Sequence, residues 1–300
     1  MGDPRDSHVA AVLKVMESNG VPTPFLVDAP AFQECGFSLS LDRLRHDGGE
    51  VDLNVARPGW LRRYAPSSWG IGTVSGSLES VTKRAFLTLV GAISRLGRTN
   101  WLTQLDALLA AEDRLLQLQS ARALNIRVPE TVVTSDPVEA RDLLGDGFIV
   151  KPLSMGYYEA SDGPKAVYTS SLTAPDLEKV DFGRAPFMAQ ERIDVQCHWR
   201  VVTVGDQAWS AMLSAQGRPL DWRQQEAAHS EWEPGGDSRI LTQATQLAAG
   251  MHVRYSSQDW VVDDNGPAFL DFNPGGQWMF LPPAVSQPVT CAIARFLGGG

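Results

Sequence analysis

The chain of 300 residues carries 26 Lys and Arg against 35 Asp and Glu, a formal net charge of −9. That balance, with no basic block anywhere in the chain, disfavours a nucleic-acid partner, whose phosphates need clustered cations. Hydrophobic residues make up 43% and charged residues 20% of the chain, ordinary globular values, and no apolar run approaches the roughly 18 residues of a membrane span. No membrane passage is expected, and the expected partners are small molecules or a peptide. At roughly 100–200 residues per domain the chain should divide into two or three lobes. Cys35, Cys197 and Cys291 are far apart and form no CxxC pair, which argues against a disulfide framework or a structural zinc site and for a reducing compartment. Residues 1–6 are polar and run into an amphipathic segment, unlike a signal or transit peptide, so a cytoplasmic location is expected.

In chain order, Val9, Val12, Leu13 and Met16 recur at helical spacing and stop at Asn19-Gly20, as a helix with a glycine cap does. Residues 24–28 read as a strand, and residues 77–96 as a second long helix. Together they suggest a small α/β lobe with no strand ahead of its first helix. Between them, residues 60–76 are rich in Gly, Pro and Ser and read as a surface loop. Residues 102–124 are helical in pattern almost throughout, and residues 130–133 form a short strand that opens a new lobe. Ser135-Asp136-Pro137 caps a helix over 138–144, and residues 147–152 are a buried strand ending in Lys151. Strands are expected at 166–169 and 187–193. Residues 200–204 and 207–212 flank Gly205-Asp206, a dipeptide suited to a hairpin turn. A helix over 238–249 and a last hairpin follow.

That last hairpin, residues 259–275, carries the strongest chemical signal. Its two strands meet at Asp264-Asn265-Gly266. Period-two alternation puts Asp271 and Asn273 on one face, and a three-residue turn over 264–266 would set Asp259 opposite Asp271 on that same face. Two carboxylates and an amide carbonyl then converge. Magnesium takes oxygen donors and leaves room for phosphate oxygens, so such a hairpin suits metal–ATP. Taken alone, it equally suits a polar, solvent-facing surface. Lys151, at the end of a rigid strand, can aim a cation at phosphate or simply reach solvent. Gln190, Glu191 and Ile193, at the end of the next strand, can offer backbone groups to an adenine edge or merely leave the sheet.

The order of these pieces decides between the readings. A lysine strand, the glycine-bearing loop Ser154-Met155-Gly156, a Gln-Glu strand, Arg200 and the Asp/Asp/Asn hairpin follow one another as in the ATP-grasp superfamily. Within it the chain resembles the graspetide synthetases, the microviridin-type ligases that macrocyclise ribosomal peptides through side-chain ester or amide bonds. The matching pieces span most of the chain: Glu112-Asp113-Arg114-Leu115-Leu116-Gln117-Leu118, Arg127-Val128-Pro129-Glu130-Thr131-Val132-Val133-Thr134, Trp199-Arg200-Val201-Val202, Asp221-Trp222-Arg223 and Asp271-Phe272-Asn273-Pro274-Gly275-Gly276-Gln277-Trp278. The last is the most specific.

The resemblance implies an α/β chain of α+β lobes in the ATP-grasp fold. A pre-ATP-grasp lobe would span 1–104, a central lobe 105–186, and a C-terminal lobe with the metal hairpin 187–300, the last two clamping ATP. It implies ATP and Mg2+ as cofactors, with Asp259, Asp271 and Asn273 on the metal, Arg114 and Lys151 on the phosphates, and Gln190, Glu191 and Ile193 around the adenine. Arg200 would lie near the phosphates or an acyl phosphate, and Asp221 and Arg223 would recognise an acidic residue of the peptide. Guanidinium forks match carboxylate and phosphate, which gives both arginines an independent physical reason. The substrate would be a precursor peptide, activated as an acyl phosphate and attacked by an amine or hydroxyl; a disordered loop around 157–165 would close over ATP. Two other readings stay open: a ligase joining free amino acids or small acids and amines, and a nucleotide-binding partner without turnover. A homodimer is one assembly consistent with the sequence. The chain departs from the pattern in Arg114, where relatives carry lysine, in Asp271, where glutamate is commoner, and in Asp194-Val195-Gln196, which lacks a lysine often found there.

Overall fold

The computed structural model describes every residue except 48, 64–74, 152, 154–156, 161–162, 167–169, 178–184 and 300. α1 (Ser7–Ser18) forms where the spacing predicts it. Asp6 caps it by accepting from the His8 amide at 2.8 Å, and Gly20 turns the chain away at φ +68°. The strand expected at 24–28 does not form. Pro24 has no N–H for a ladder, and Asp28 is used as the cap of α2 (Ala29–Cys35), accepting from the Ala31 amide at 2.7 Å. β1 (Phe37–Leu39), β2 (Arg43–His46) and β3 (Gly49–Asp52) make an antiparallel sheet in that order. β4 (Arg57–Gly59) pairs in parallel with β5 (Thr99–Trp101) across the connecting α3 (Leu78–Arg95), which Ser77 caps. The surface loop expected at 60–76 lies mostly outside the described residues, but its start departs from expectation: Trp60, Leu61 and Arg62 are buried.

The continuous helix expected over 102–124 is two helices, α4 (Leu105–Ala111) and α5 (Arg114–Ala123). Asp113 breaks it, because its carboxylate caps α5 by accepting from the Leu115 and Leu116 amides at 2.9 and 3.1 Å, a bond no helix interior offers an aspartate.

The central sheet contains β6 (Thr131–Thr134), β7 (Phe148–Lys151), β10 (Ser170–Leu172) and β11 (Phe187–Gln190), antiparallel in the order β10-β7-β11-β6. Its connections hold α6 (Pro137–Leu144), the two-stranded hairpin β8 (Tyr157–Ala160) and β9 (Gly163–Ala166), and α7 (Ala174–Leu177). The segment around 157–165 is therefore a hairpin rather than a plain loop. The strand expected at 166–169 falls mainly outside the described residues, as does the loop 154–156. β11 ends at Gln190, three residues short of expectation. Phe148, Phe187 and Ala189 pack under Ala140 of α6. The opposite face points to the C-terminal lobe, where Met188 joins Trp199 and Val201.

The C-terminal sheet runs β14 (Glu233–Gly235), β13 (Gln207–Ser214), β12 (Cys197–Val204), β15 (Tyr255–Asp263), β16 (Gly266–Asn273). Strand alternation gives it two faces. Trp199, Val201, Trp260, Phe269 and Phe272 pack against α5 and α8 (Ser238–Gly250). Val202, Val204, Leu213 and Tyr255 pack against α1 and α9 (Pro283–Leu297).

The last hairpin reaches the expected alignment by a different route. Asp263 pairs with Gly266, so the turn has two residues, which alone would set Asp259 opposite Leu270. A β-bulge then shifts the register, and Asp259 pairs with Asp271 after all. Phe269 and Phe272, three apart, consequently share the buried face, and Asp271 returns to the Asp259 face.

Arg127, between α5 and β6, ties the hairpin to the central lobe. It grips both oxygens of Asp263 at 2.5 and 2.7 Å and reaches the Gly266 carbonyl at 3.2 Å, while its own carbonyl accepts from the Phe269 amide. The Arg127 hydrogen bonds hold the Asp263 carboxyl down at about 2. A depressed carboxylate stabilises the fold above its unfolded pKa and stops doing so as pH falls through the folded value. Asp263→Asn should therefore cost about 1–2 kcal/mol at pH 7, allowing for partial solvent screening. The difference should narrow as pH falls from about 4 towards 2; urea denaturation of both proteins across that range measures it.

Candidate active site

Three strands build one polar row. Arg200 on β12 is the cross-strand partner of Asp259 on β15, and Asp259 that of Asp271 on β16. Arg200 Nη1 meets Asp259 Oδ1 at 2.9 Å, and its guanidinium lies 5.7 Å from the Phe280 ring. One residue pair further along, Asn273 stands opposite Ser257 on the same face. Its Oδ1 accepts from the Gly275 amide at 2.9 Å.

Arg114, the first residue of α5, sits beside this row with Nε 3.6 Å from Asp271 Oδ1. A cation at a helix N-terminus opposes the helix dipole, so the carboxylate is what favours it there. Gln117 fixes the approach. Its amide donates to the Phe272 carbonyl at 2.7 Å and accepts from the Phe272 amide at 2.9 Å, closing a reciprocal pair on the edge strand beside Asp271. Buried polar groups at a sheet edge need partners, and Gln117, 2% exposed, supplies them. Sequence reasoning quoted Gln117 without assigning it a role; its place one helical turn after Arg114 was the available signal.

Lys151 faces the row from the central sheet. Burial lowers its pKa, the carboxylates of Asp271 and Asp259 raise it, and Arg114 and Arg223 oppose it, so these groups share one electrostatic neighbourhood. Burial raises the Asp259 carboxyl; Arg200 opposes that shift and Asp271 adds to it. Asp221, 4% exposed, holds Arg223 in a fork, with Nε and Nη2 each 2.7 Å from a carboxylate oxygen. The same carboxylate caps a short 3-10 turn over Trp222–Gln224. Those bonds raise the Arg223 pKa, with Asp259 and Asp271 contributing at longer range.

Arg114, Lys151, Arg200, Asp221, Arg223, Asp259 and Asp271 thus come together, with Asn273 adjoining. Gln190 is buried and its Nε2 donates to Thr131 Oγ1 at 2.9 Å, and the Glu191 amide donates to the Glu130 carbonyl at 2.9 Å. The Glu191 amide continues the ladder to β6 one residue past the strand, and the Gln190 side chain bonds within the same sheet. Ile193 is half-buried, and no hydrogen bond engages its amide among the described residues.

Two features were not legible as site residues. His198, two positions before Arg200 on the same face of β12, is held neutral: burial lowers its pKa to about 4, while Asp221 pulls the other way. Arg62, between β4 and α3, is 2% exposed and donates through Nη1 to the Gly275 carbonyl beside Asn273.

The chain, with its central antiparallel sheet and a C-terminal antiparallel sheet that ends in the carboxylate-bearing hairpin, matches solved structures over its whole length. The macrocyclase MdnC of Microcystis aeruginosa, bound to the precursor peptide MdnA, is 24% identical over 98% of this chain and 97% of its own, with a TM-score of 0.80. A RiPP-associated ATP-grasp ligase of Chryseobacterium gregarium, in complex with ADP and a leader and core peptide, is 18% identical over 98% and 93%, with a TM-score of 0.84. The macrocyclase MdnB of Microcystis aeruginosa is 25% identical over 100% and 98%, with a TM-score of 0.74. No family model and no curated protein matches the sequence. The fold is ATP-grasp, as the order of motifs predicts.

The neutral His198 has a pH signature. A histidine whose folded pKa lies below its unfolded value binds fewer protons when folded, so stability falls as pH drops from about 6.5 to about 4. His198→Gln should remove about 2 kcal/mol of that decline, read as the difference between the two proteins' urea midpoints at pH 7 and pH 4.5.

Proposed function

We propose that the chain is an ATP-dependent ligase that activates a carboxylate as an acyl phosphate and joins it to an amine or hydroxyl. Its substrate on this reading is a ribosomal precursor peptide, in which it forms side-chain ester or amide cross-links. The observation that carries the proposal is the row Arg200–Asp259–Asp271–Arg114, with Lys151 and Arg223 within its field. The whole-length likeness to peptide macrocyclases supports the choice of substrate.

The residues fit magnesium and a nucleoside triphosphate. Asp259 is a carboxylate whose ionised form burial and Asp271 both disfavour, and a divalent cation between the two relieves that penalty. Arg200 Nε is buried with no hydrogen-bond partner, a donor suited to a phosphate or acyl-phosphate oxygen. Arg114, Lys151 and Arg200 outnumber Asp259 and Asp271 by one charge, while Asp221 and Arg223 cancel, so the cleft favours a polyanion. Asp259, Asp271 and Asn273 would hold the metal, and Arg114 and Lys151 the phosphates. Bound Mg2+–ATP would supply the phosphoryl group and leave as ADP, and the attacking amine or hydroxyl would displace inorganic phosphate from the acyl phosphate.

The chain's own work is positioning and electrostatics. Asp221 occupies one edge of the Arg223 fork, leaving the other edge of the guanidinium to orient a substrate carboxylate. Arg200 would stabilise charge on the activated carboxylate, and the β8–β9 hairpin would cover the cleft against water. The Ile193 amide would meet the adenine edge, flanked by Gln190 and Glu191. In this scheme residues 1–104, 105–186 and 187–300 act as the N-terminal, central and C-terminal lobes. A cytoplasmic location is supported by Cys35, Cys197 and Cys291, all free; no helix among the described residues is long and apolar enough to cross a membrane.

Incubation with ATP, Mg2+ and acidic leader-bearing peptides should release ADP and lower the peptide mass by one water per bond. Asp259→Asn should reduce ADP release on the order of 100-fold or more. Arg223→Lys should chiefly raise KM for the peptide, since a lysine cannot fork onto a carboxylate. Full ADP release by Asp259→Asn would remove the metal assignment. ADP release with free amino acids and an unchanged peptide mass would replace the peptide by a small-molecule substrate.

A further inference from the structure

Residues 273–278 close the candidate metal hairpin, and several of their polar groups are held by hydrogen bonds. The Gly275 amide donates to Asn273 Oδ1 at 2.9 Å. The Gly275 carbonyl accepts from Arg62 Nη1, the Gly276 carbonyl from Tyr255 Oη at 2.8 Å, and the Gln277 carbonyl from Ser257 Oγ at 3.4 Å. The Trp278 amide donates to His8 Nε2 at 3.2 Å. Gly276 also lies so close to Ser257 that an added Cβ would sit 2.4 Å from the serine Cβ.

Two of these partners, Arg62 and His8, come from more than 200 positions away in sequence. Arg62 is the permanently charged one, and its side chain is 1% exposed. A buried guanidinium is costly unless it is paired. Its counter-ion, Asp6, is 3.5 Å from Nε, and the Trp278 ring lies 5.6 Å from its centre. Nε and Nη2 nevertheless have no hydrogen-bond partner. A merely structural contact between lobes would be met at lower cost by an apolar side chain of similar volume. What the arginine adds is a donor on the Gly275 carbonyl, the other side of the residue whose amide holds Asn273 Oδ1. Gly275 is thus held at both its amide and its carbonyl, which restrains the turn that orients the Asn273 side chain.

We propose that Arg62 is a positioning residue for Asn273, through which the N-terminal lobe holds the third metal ligand in place. The inference rests on the reading of Asp259, Asp271 and Asn273 as the magnesium site. It makes the N-terminal lobe part of the metal centre without touching the metal. Groups that orient metal ligands typically contribute 10–100-fold to metal affinity.

Full-length Arg62→Lys keeps the charge but cannot span both Asp6 and the Gly275 carbonyl. Mn2+ binding in the presence of ADP, followed by electron paramagnetic resonance, should weaken about tenfold. In steady state the half-saturating Mg2+ concentration should rise by a similar factor, while the rate at saturating Mg2+ falls less. A purely structural role would instead lower the rate equally at all Mg2+ concentrations and leave Mn2+ affinity unchanged; that result overturns the inference. Asp6→Asn keeps the α1 cap but removes the charge beside Arg62, and should weaken Mn2+ binding about threefold. It carries the test should Arg62→Lys not fold, and an unchanged affinity there is equally fatal. Asp259→Asn serves as the control. If it loses Mn2+ binding while the Arg62 and Asp6 variants do not, the positioning role fails alone; if it too binds normally, the metal site itself is misplaced.

Discussion

The cross-strand pairing of Asp259 with Asp271 is the constraint on which the rest of the site depends. Two carboxylates on adjacent strands repel and are partly desolvated, an arrangement a sheet does not adopt for its own stability. Cations compensate from three sides: Arg200 within the same sheet, Arg114 from the start of α5, and Lys151 from the facing sheet. Each arrives on a different element, so the row also dictates how those elements meet. The central sheet must turn its Lys151 face inward, and α5 must begin at Asp113 rather than run on from α4.

Two amide and guanidinium side chains make that meeting rigid. Gln117 completes the edge of β16 at Phe272, and Arg127 clamps the hairpin end at Asp263 and Gly266. Both belong to the segment between β5 and the central sheet. The hairpin is consequently held near its tip and again next to Asp271, where a displacement of even a fraction of an ångström matters for ligand geometry.

Much of this was legible in the sequence because it lives in local patterns. The helix cap at Asp136, the Gly205-Asp206 turn and the alternation through Asp271 and Asn273 are all short-range signals, and the order of motifs carried the fold. What was not legible depends on contacts between distant residues. Nothing around Arg62 announces that it reaches the Gly275 carbonyl, since its neighbours Trp60, Leu61 and Arg63 read as part of a loop. Helical periodicity ran straight across Asp113, because apolar spacing records a face and not a cap. Nor does the sequence show that the Gln190 side chain pairs with Thr131 and the Glu191 amide with Glu130, some 60 residues earlier.

The bulge beside Leu270 shows which property of the hairpin the structure preserves. A two-residue turn followed by one surplus residue yields the same carboxylate alignment as a three-residue turn with none. Removing Leu270 would leave Asp271 facing Asp259 and would chiefly straighten and untwist the strand. Homologous hairpins can therefore differ in length by one position on either side of the turn and still present equivalent acids, so an alignment here must be anchored on the carboxylates and allowed to gap in between.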